Sequence, residues 1–149
     1  MKNKNVLWML SLLLMISATS WAQKKSDGYD KIVFGSYGVV DVMLKEFMIS
    51  KSGEVLFTAR MDKQYTHIGH IEKNAFKELM AYCNSKQWDD FVKFNPGKDY
   101  QFVRLYNDKQ YVELIWAPSE ADAQTNELFT KLSYAVNGFP LPEMVTVKK

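Results

Sequence analysis

His67 and His70 are the only two histidines of the chain, and Asp62 and Glu72 stand close to them in sequence. Two imidazoles three residues apart can reach one ion from a helix or a tight turn, so a metal is the first chemistry to consider. The zincin pattern needs a glutamate beside the first histidine and a spacing of four on a helix. Here Gly69 interrupts the pair in His67-Ile68-Gly69-His70, which reads as a strand-to-helix junction with both histidines in a surface loop. No metal site is assigned. Cys83 is the single cysteine, and a thiol is a nucleophile only as a thiolate in an accessible, electropositive setting. It shares an apolar helical stripe with Phe76, Leu79 and Met80, so it is expected to be a small buried residue. Asp89 and Asp90 are adjacent and point apart, which leaves no carboxylate pair for hydrolysis. No Gly-x-Ser-x-Gly, phosphate loop or dinucleotide fingerprint is present, and neither a catalytic residue nor a cofactor is assigned.

What remains is a surface. Tyr100 to Tyr106 and Tyr111 to Trp116 alternate as two strands around the turn Asn107-Asp108-Lys109-Gln110. A turn that sets Tyr106 opposite Tyr111 also pairs Arg104 with Glu113 and Phe102 with Ile115, and the opposite charges support that register. One face of the hairpin then carries Tyr100, Phe102, Arg104, Tyr106, Tyr111, Glu113 and Ile115. Aromatic rings beside a charged pair can stack on sugars or anchor a protein partner. The other face carries Val103, Leu105, Val112, Leu114 and Trp116 and belongs to a core.

The elements that must position this hairpin follow from period and punctuation. Ile32 and Phe34 alternate before Gly35-Ser36-Tyr37-Gly38, and Val42, Leu44 and Glu46 alternate against Met43, Lys45 and Phe47, which predicts a first hairpin. Ser50-Lys51-Ser52-Gly53 offers a turn, after which Val55, Phe57 and Ala59 share one face of a third strand. From Ile71 to Ser85 the period changes to three and four, with Ala75, Phe76, Leu79, Met80 and Cys83 on one side. Trp88 and Phe91 are expected to pack just beyond that helix, and Asn95-Pro96-Gly97 breaks the chain before the aromatic hairpin. Ser119 with Asp122 matches a capping box, opening a last helix whose buried face is Leu128, Phe129, Leu132, Ala135 and Val136 and whose stop is Gly138. The fold class predicted is α+β: an antiparallel sheet of about five strands, in the order β-β-β-α-β-β-α, with two amphipathic helices on one face and the other face open to water.

The ends read differently. Lys2 and Lys4 precede an apolar run from Val6 to Ile16, and small residues Ser20 and Ala22 stand where a signal peptidase requires them, so residues 1–22 read as an export signal. The run is about half the twenty residues a membrane-spanning helix needs, and no cysteine near the cut offers a lipid anchor. Residues 23–29 form a polar leader, 30–138 a single domain and 139–149 an extended tail containing Phe139-Pro140-Leu141-Pro142. Without Lys2 and Lys4, seventeen basic residues face seventeen acids, which removes the basic excess a nucleic-acid binder would show. An exported chain with one cysteine has no internal disulfide and depends on its core.

With Phe34-Gly35-Ser36-Tyr37-Gly38, Ser52-Gly53, Asn95-Pro96-Gly97-Lys98-Asp99-Tyr100 and Ile115-Trp116, the chain resembles a group of small exported bacterial α+β domains of unknown function, over roughly Tyr29 to Asn137. It is more distantly similar to emfourin, a protein inhibitor of thermolysin-type metallopeptidases, with Ser36 standing where that pattern has a glycine. That likeness implies that the loop from Gly35 to Val40, with Gly35, Ser36, Tyr37 and Gly38 as its contacts, enters a protease cleft. The leading expectation is a soluble periplasmic or extracellular binding domain for an envelope or secreted protein or a glycan. Inhibition of a secreted metallopeptidase is the alternative, and a hydrolase with an unrecognised site is the second.

Overall fold

The structure is a computed structural model that describes residues 28–38, 43–59, 64–93, 98–109 and 111–142. The expected export signal, most of the leader, Val42, Asp62, the Asn95-Pro96-Gly97 turn and the tail past Pro142 lie outside these residues. The elements in chain order are β1 (Lys31–Gly38), β2 (Met43–Ile49), β3 (Glu54–Thr58), β4 (Thr66–His70), α1 (Lys73–Ser85), β5 (Phe91–Lys93), β6 (Tyr100–Tyr106), β7 (Tyr111–Trp116), a 3-10 turn (Pro118–Glu120) and α2 (Ala123–Val136). The strands form one sheet in the spatial order β4-β3-β2-β1-β6-β7-β5. Each pairing is antiparallel except β5 with β7, which is parallel.

The α+β class is therefore as expected, but the sheet is larger and mixed. Two strands escape a reading by periodicity. β5 has three residues, too few to show a period, and takes its direction from the chain arriving after α1. β4 is His-rich and contains Gly69, which suggested a loop. Its pairing with β3 carries a bulge between Val55 and Leu56, and such an extra residue breaks strict alternation. Gly69 also has a steric role: a Cβ there would lie 2.4 Å from the ring of Phe139, which rests on it.

The sheet alternation decides the core. Ile32, Phe34, Ile49, Val55, Phe57, Val103, Leu105, Val112, Leu114 and Trp116 all turn to the face covered by the helices and belong to one buried cluster. Leu79 and Cys83 bring α1 into that cluster, and Leu128, Leu132 and Val136 bring α2. Trp116 is fully buried and meets Phe129 edge to face at 5.6 Å, while its indole N–H donates to Gln101 Oε1 at 3.0 Å. Burying a large aromatic chain is worth about 2–3 kcal/mol, so these rings are principal contributors to a core that has no disulfide. Trp88 packs beside α1 as expected, donating its indole N–H to the Cys83 carbonyl at 2.8 Å.

The start of α2 differs from the capping-box expectation. Pro118, Ser119 and Glu120 wind into the 3-10 turn, where the Glu120 N–H donates to the Ala117 carbonyl at 2.8 Å, and Ala121 is extended. The helix begins only afterwards, so Asp122 is the N-cap in place of Ser119, its carboxylate accepting from the Thr125 N–H at 2.8 Å. That hydrogen bond holds the Asp122 carboxyl below the usual aspartate range. The stabilisation is then complete above the unfolded value, at about pH 4, and is lost as pH falls through the lower folded value. Asp122→Ala is expected to cost about 1 kcal/mol in urea unfolding near neutral pH. The difference from the parent should shrink at about pH 3; an unchanged difference there would show that the carboxylate is not the cap. At the other end Gly138 takes φ +99, a left-handed stop as expected.

Candidate functional site

The face of the sheet away from the helices is built by the alternate residues of the same strands. Register places Tyr37 beside Tyr100, Val33 beside Arg104 and Lys31 beside Tyr106 from β1 to β6. Across β6 and β7, Phe102 faces Ile115, Arg104 faces Glu113 and Tyr106 faces Tyr111, which is the register the sequence predicts. On the far side of β1, Gly35 faces Glu46 and Tyr37 faces Leu44. All of Tyr100, Phe102, Arg104, Tyr106, Tyr111 and Glu113 thus share one surface.

That surface is not uniformly wet. Val33, Leu44 and Phe102 form a second buried cluster, packed against Tyr37, Met48, Tyr100, Tyr106 and Ile115. Glu46 is only 2% exposed at its centre. A buried carboxylate requires partners, and among the described residues it has two: the Tyr65 hydroxyl donates to Glu46 Oε1, and Arg104 NH1 lies 3.6 Å from Oε2. Arg104 also donates from Nε to Glu113 Oε1 at 2.6 Å and sets its guanidinium 4.8 Å from the centre of the Phe102 ring. One cation therefore bridges a buried and a half-buried carboxylate. Burial disfavours the Arg104 charge, but the hydrogen bond and charge of Glu113 outweigh it and hold the guanidinium above its ordinary range. Burial, then the hydrogen bond to Glu46, pushes the Tyr65 hydroxyl up, and burial does the same to Tyr100 and Tyr106. These phenols stay protonated donors.

The rings stand in pairs. Tyr37 stacks on Tyr100 with centroids 5.2 Å apart, and Tyr106 stacks on Tyr111 at 5.5 Å. Lys31 Nζ lies 4.2 Å from the centre of the Tyr106 ring. Stacking takes one face of each ring, and of the four only Tyr111 is largely exposed. At its rim Tyr111 is 55% exposed, and Val92 of β5, paired with Ile115, is 60% exposed.

Sequence reading missed three contributors. Glu46 had a signal, an acid at an alternating position between Leu44 and Met48, where a core-flanking strand rarely carries one. Val92 lies in a strand too short to register, and Tyr65 precedes a strand not expected at all.

The other candidates fall elsewhere. His67 and His70 lie on β4 and not in a loop; both are exposed, with His67 Nε2 3.8 Å from Glu54 Oε1. Among the described residues no group of three or more His, Cys, Asp or Glu is placed to hold a metal. Cys83 is fully buried, and burial pushes its thiol up to about 12, far from a reactive thiolate. Asp90 Oδ1 accepts from the Glu113 backbone N–H at 2.6 Å, a strand-to-strand tie. Gly35, Ser36, Tyr37 and Gly38 are not a loop but the second half of β1, paired with β2, and β6 pairs as far as Tyr37. The first hairpin is longer than its glycines suggested because Gly35 serves a close approach: a Cβ there would lie 1.9 Å from the Lys45 carbonyl oxygen.

No helix among the described residues is long and apolar enough to cross a membrane. Set against known proteins, the chain matches no protein-family model and no curated protein.

Proposed function

We propose that this protein is an exported binding domain that docks a protein partner on its aromatic sheet face. The observation that carries the reading is the juxtaposition of exposed Tyr111 and Val92 with the fixed Arg104–Glu113 pair on one rigid sheet. Tyrosine and arginine on a preorganised surface are the side chains that supply most binding energy at protein interfaces. Here the pairing of rings and ions holds them in place before a partner arrives, which lowers the ordering cost of association. A glycan is the weaker fit, since a sugar needs an accessible ring face and of the four stacked rings only Tyr111 is largely exposed. Export rests on the charged start, apolar run and small residues of positions 1–22. Inhibition through Gly35 to Val40 has less support, because Gly35 to Gly38 are paired in the sheet and cannot enter a cleft as a free loop, while Val39 and Val40 lie outside the described residues.

Affinity capture from the native envelope and culture medium tests the reading. A partner retained by the parent protein should lose at least about tenfold in affinity to Tyr111→Ala combined with Val92→Ser, both exposed positions whose change leaves the core intact. Equal capture by parent and variant would remove this face as the docking surface.

A further inference from the structure

The helix-covered face of the sheet carries a separate cavity. Between the second half of β1, its partner β2 and the chain leaving α2 lies a cavity of about 340 Å³. Its floor is aromatic: Phe34 and Phe47 stack at 5.3 Å, and Phe129 meets Phe34 edge-on at 6.0 Å. Gly138, Phe139 and Leu141 close one side after the left-handed turn at Gly138. The Phe139 ring is seated on Gly69, so that wall has a built support.

Polar groups line part of this apolar space. Ser36 and Lys45 are cross-strand partners, and Ser133 of α2 lines the same cavity. Among the described residues that line the cavity, Lys45 is the only charged side chain. No carboxylate of the described residues pairs with it, and it stands exposed. The last carbonyls of α2 do not claim it either. Those of Tyr134 and Val136 accept from the Asn137 and Phe139 N–H groups at 3.2 and 3.3 Å.

An aromatic floor with one cation that no carboxylate of the described residues pairs, two hydroxyls and the Asn137 amide suits a ligand with an apolar body and a single anionic head. We propose that this cavity binds a small amphiphilic carboxylate, its chain over the phenylalanines and its carboxylate on Lys45 and Ser36. The volume limits the body to roughly eight to ten carbons, at about 30 Å³ for each group the size of a water. This site is independent of the docking face, from which the sheet itself separates it.

Octanoate and 1-octanol are the probes, followed by amide chemical shifts of the ¹⁵N-labelled protein. Octanoate is expected to bind with Kd about 0.1–1 mM, as ligand efficiency allows for ten heavy atoms. It should shift Ser36, Lys45, Ser133 and Gly138. Lys45→Gln, an exposed change, should weaken octanoate about tenfold while changing 1-octanol less than about twofold. Ser133→Leu, which fills the space, should weaken both at least about tenfold. A second groove, between α1 and α2, is lined by Ala75, Tyr82 and Tyr134. The proposal fails if octanoate shifts none of the first amides, if it shifts those of this second groove instead, or if Lys45→Gln leaves it bound as tightly as before.

Discussion

Replacing Arg104 with leucine is expected to destabilise the fold by about 3–5 kcal/mol, far more than its half-buried position suggests. Its pair with Glu113 is partly exposed and contributes at most about 1 kcal/mol, and its contact with the Phe102 ring a similar amount. The larger share comes from Glu46, which is 2% exposed and, among the described residues, would be left in the sheet with only the Tyr65 hydroxyl as partner. Removing one member of a buried pair strands the other, whereas removing both with apolar residues of similar volume is often nearly neutral. Glu46→Leu in the Arg104→Leu background should therefore recover more than half of the loss. Glu46→Leu alone should cost only about 1–2 kcal/mol, since Arg104 keeps Glu113 and water. Urea unfolding of the four proteins closes the cycle. If Arg104→Leu fell within about 1 kcal/mol of the parent, the Glu46–Arg104 contact would have no structural weight.

Gly35→Ala is the second large effect, at about 4 kcal/mol or loss of folding. The reason is contact and not conformation, because Gly35 is not among the positive-φ glycines, which are Gly53 and Gly138. The added carbon would meet the Lys45 carbonyl oxygen at 1.9 Å, the Lys45 carbonyl carbon at 2.9 Å and the Glu46 Cα at 3.0 Å. These are backbone atoms of the strand paired with β1, so relief requires β1 and β2 to separate where Glu46 is buried. Gly69→Ala is the control. Its closest contact, 2.4 Å, is to the Phe139 ring, a side chain that can rotate away, and a cost of about 1–2 kcal/mol is expected. Thermal or urea melts of both variants test the distinction, and equal costs would contradict it.

Both effects rest on contacts between strands, Glu46 with Arg104 and Gly35 against the Lys45 carbonyl, that no single segment displays. The β6–β7 register was legible because opposite charges and like rings had to face each other, and the structure has it residue for residue. The helix faces were legible too, since Leu79, Cys83, Leu128, Leu132 and Val136 recur at helical spacing and are buried. β4 and β5 were not. One is bulged and the other three residues long, and neither carries a period that survives such length or irregularity. Asp122 replaced Ser119 as the cap because a 3-10 turn consumed the intervening residues, a local competition that a four-residue pattern does not record.

The sequence by itself determined which residues of each strand and helix must share a face, because side-chain alternation is a property of the backbone and needs no neighbour. It thereby determined the aromatic surface of β6 and β7 and the burial of Cys83. Only the tertiary structure decided what lies across from those faces. Glu46 and Arg104 are 58 positions apart and on strands that do not touch, with Gly35 of β1 between them. Their ion pair, like the cavity that joins Lys45 to Ser133, exists because β1 pairs β2 on one side and β6 on the other. Strand order is set by the packing free energy of the whole sheet and its helices, and no local pattern in the chain encodes it.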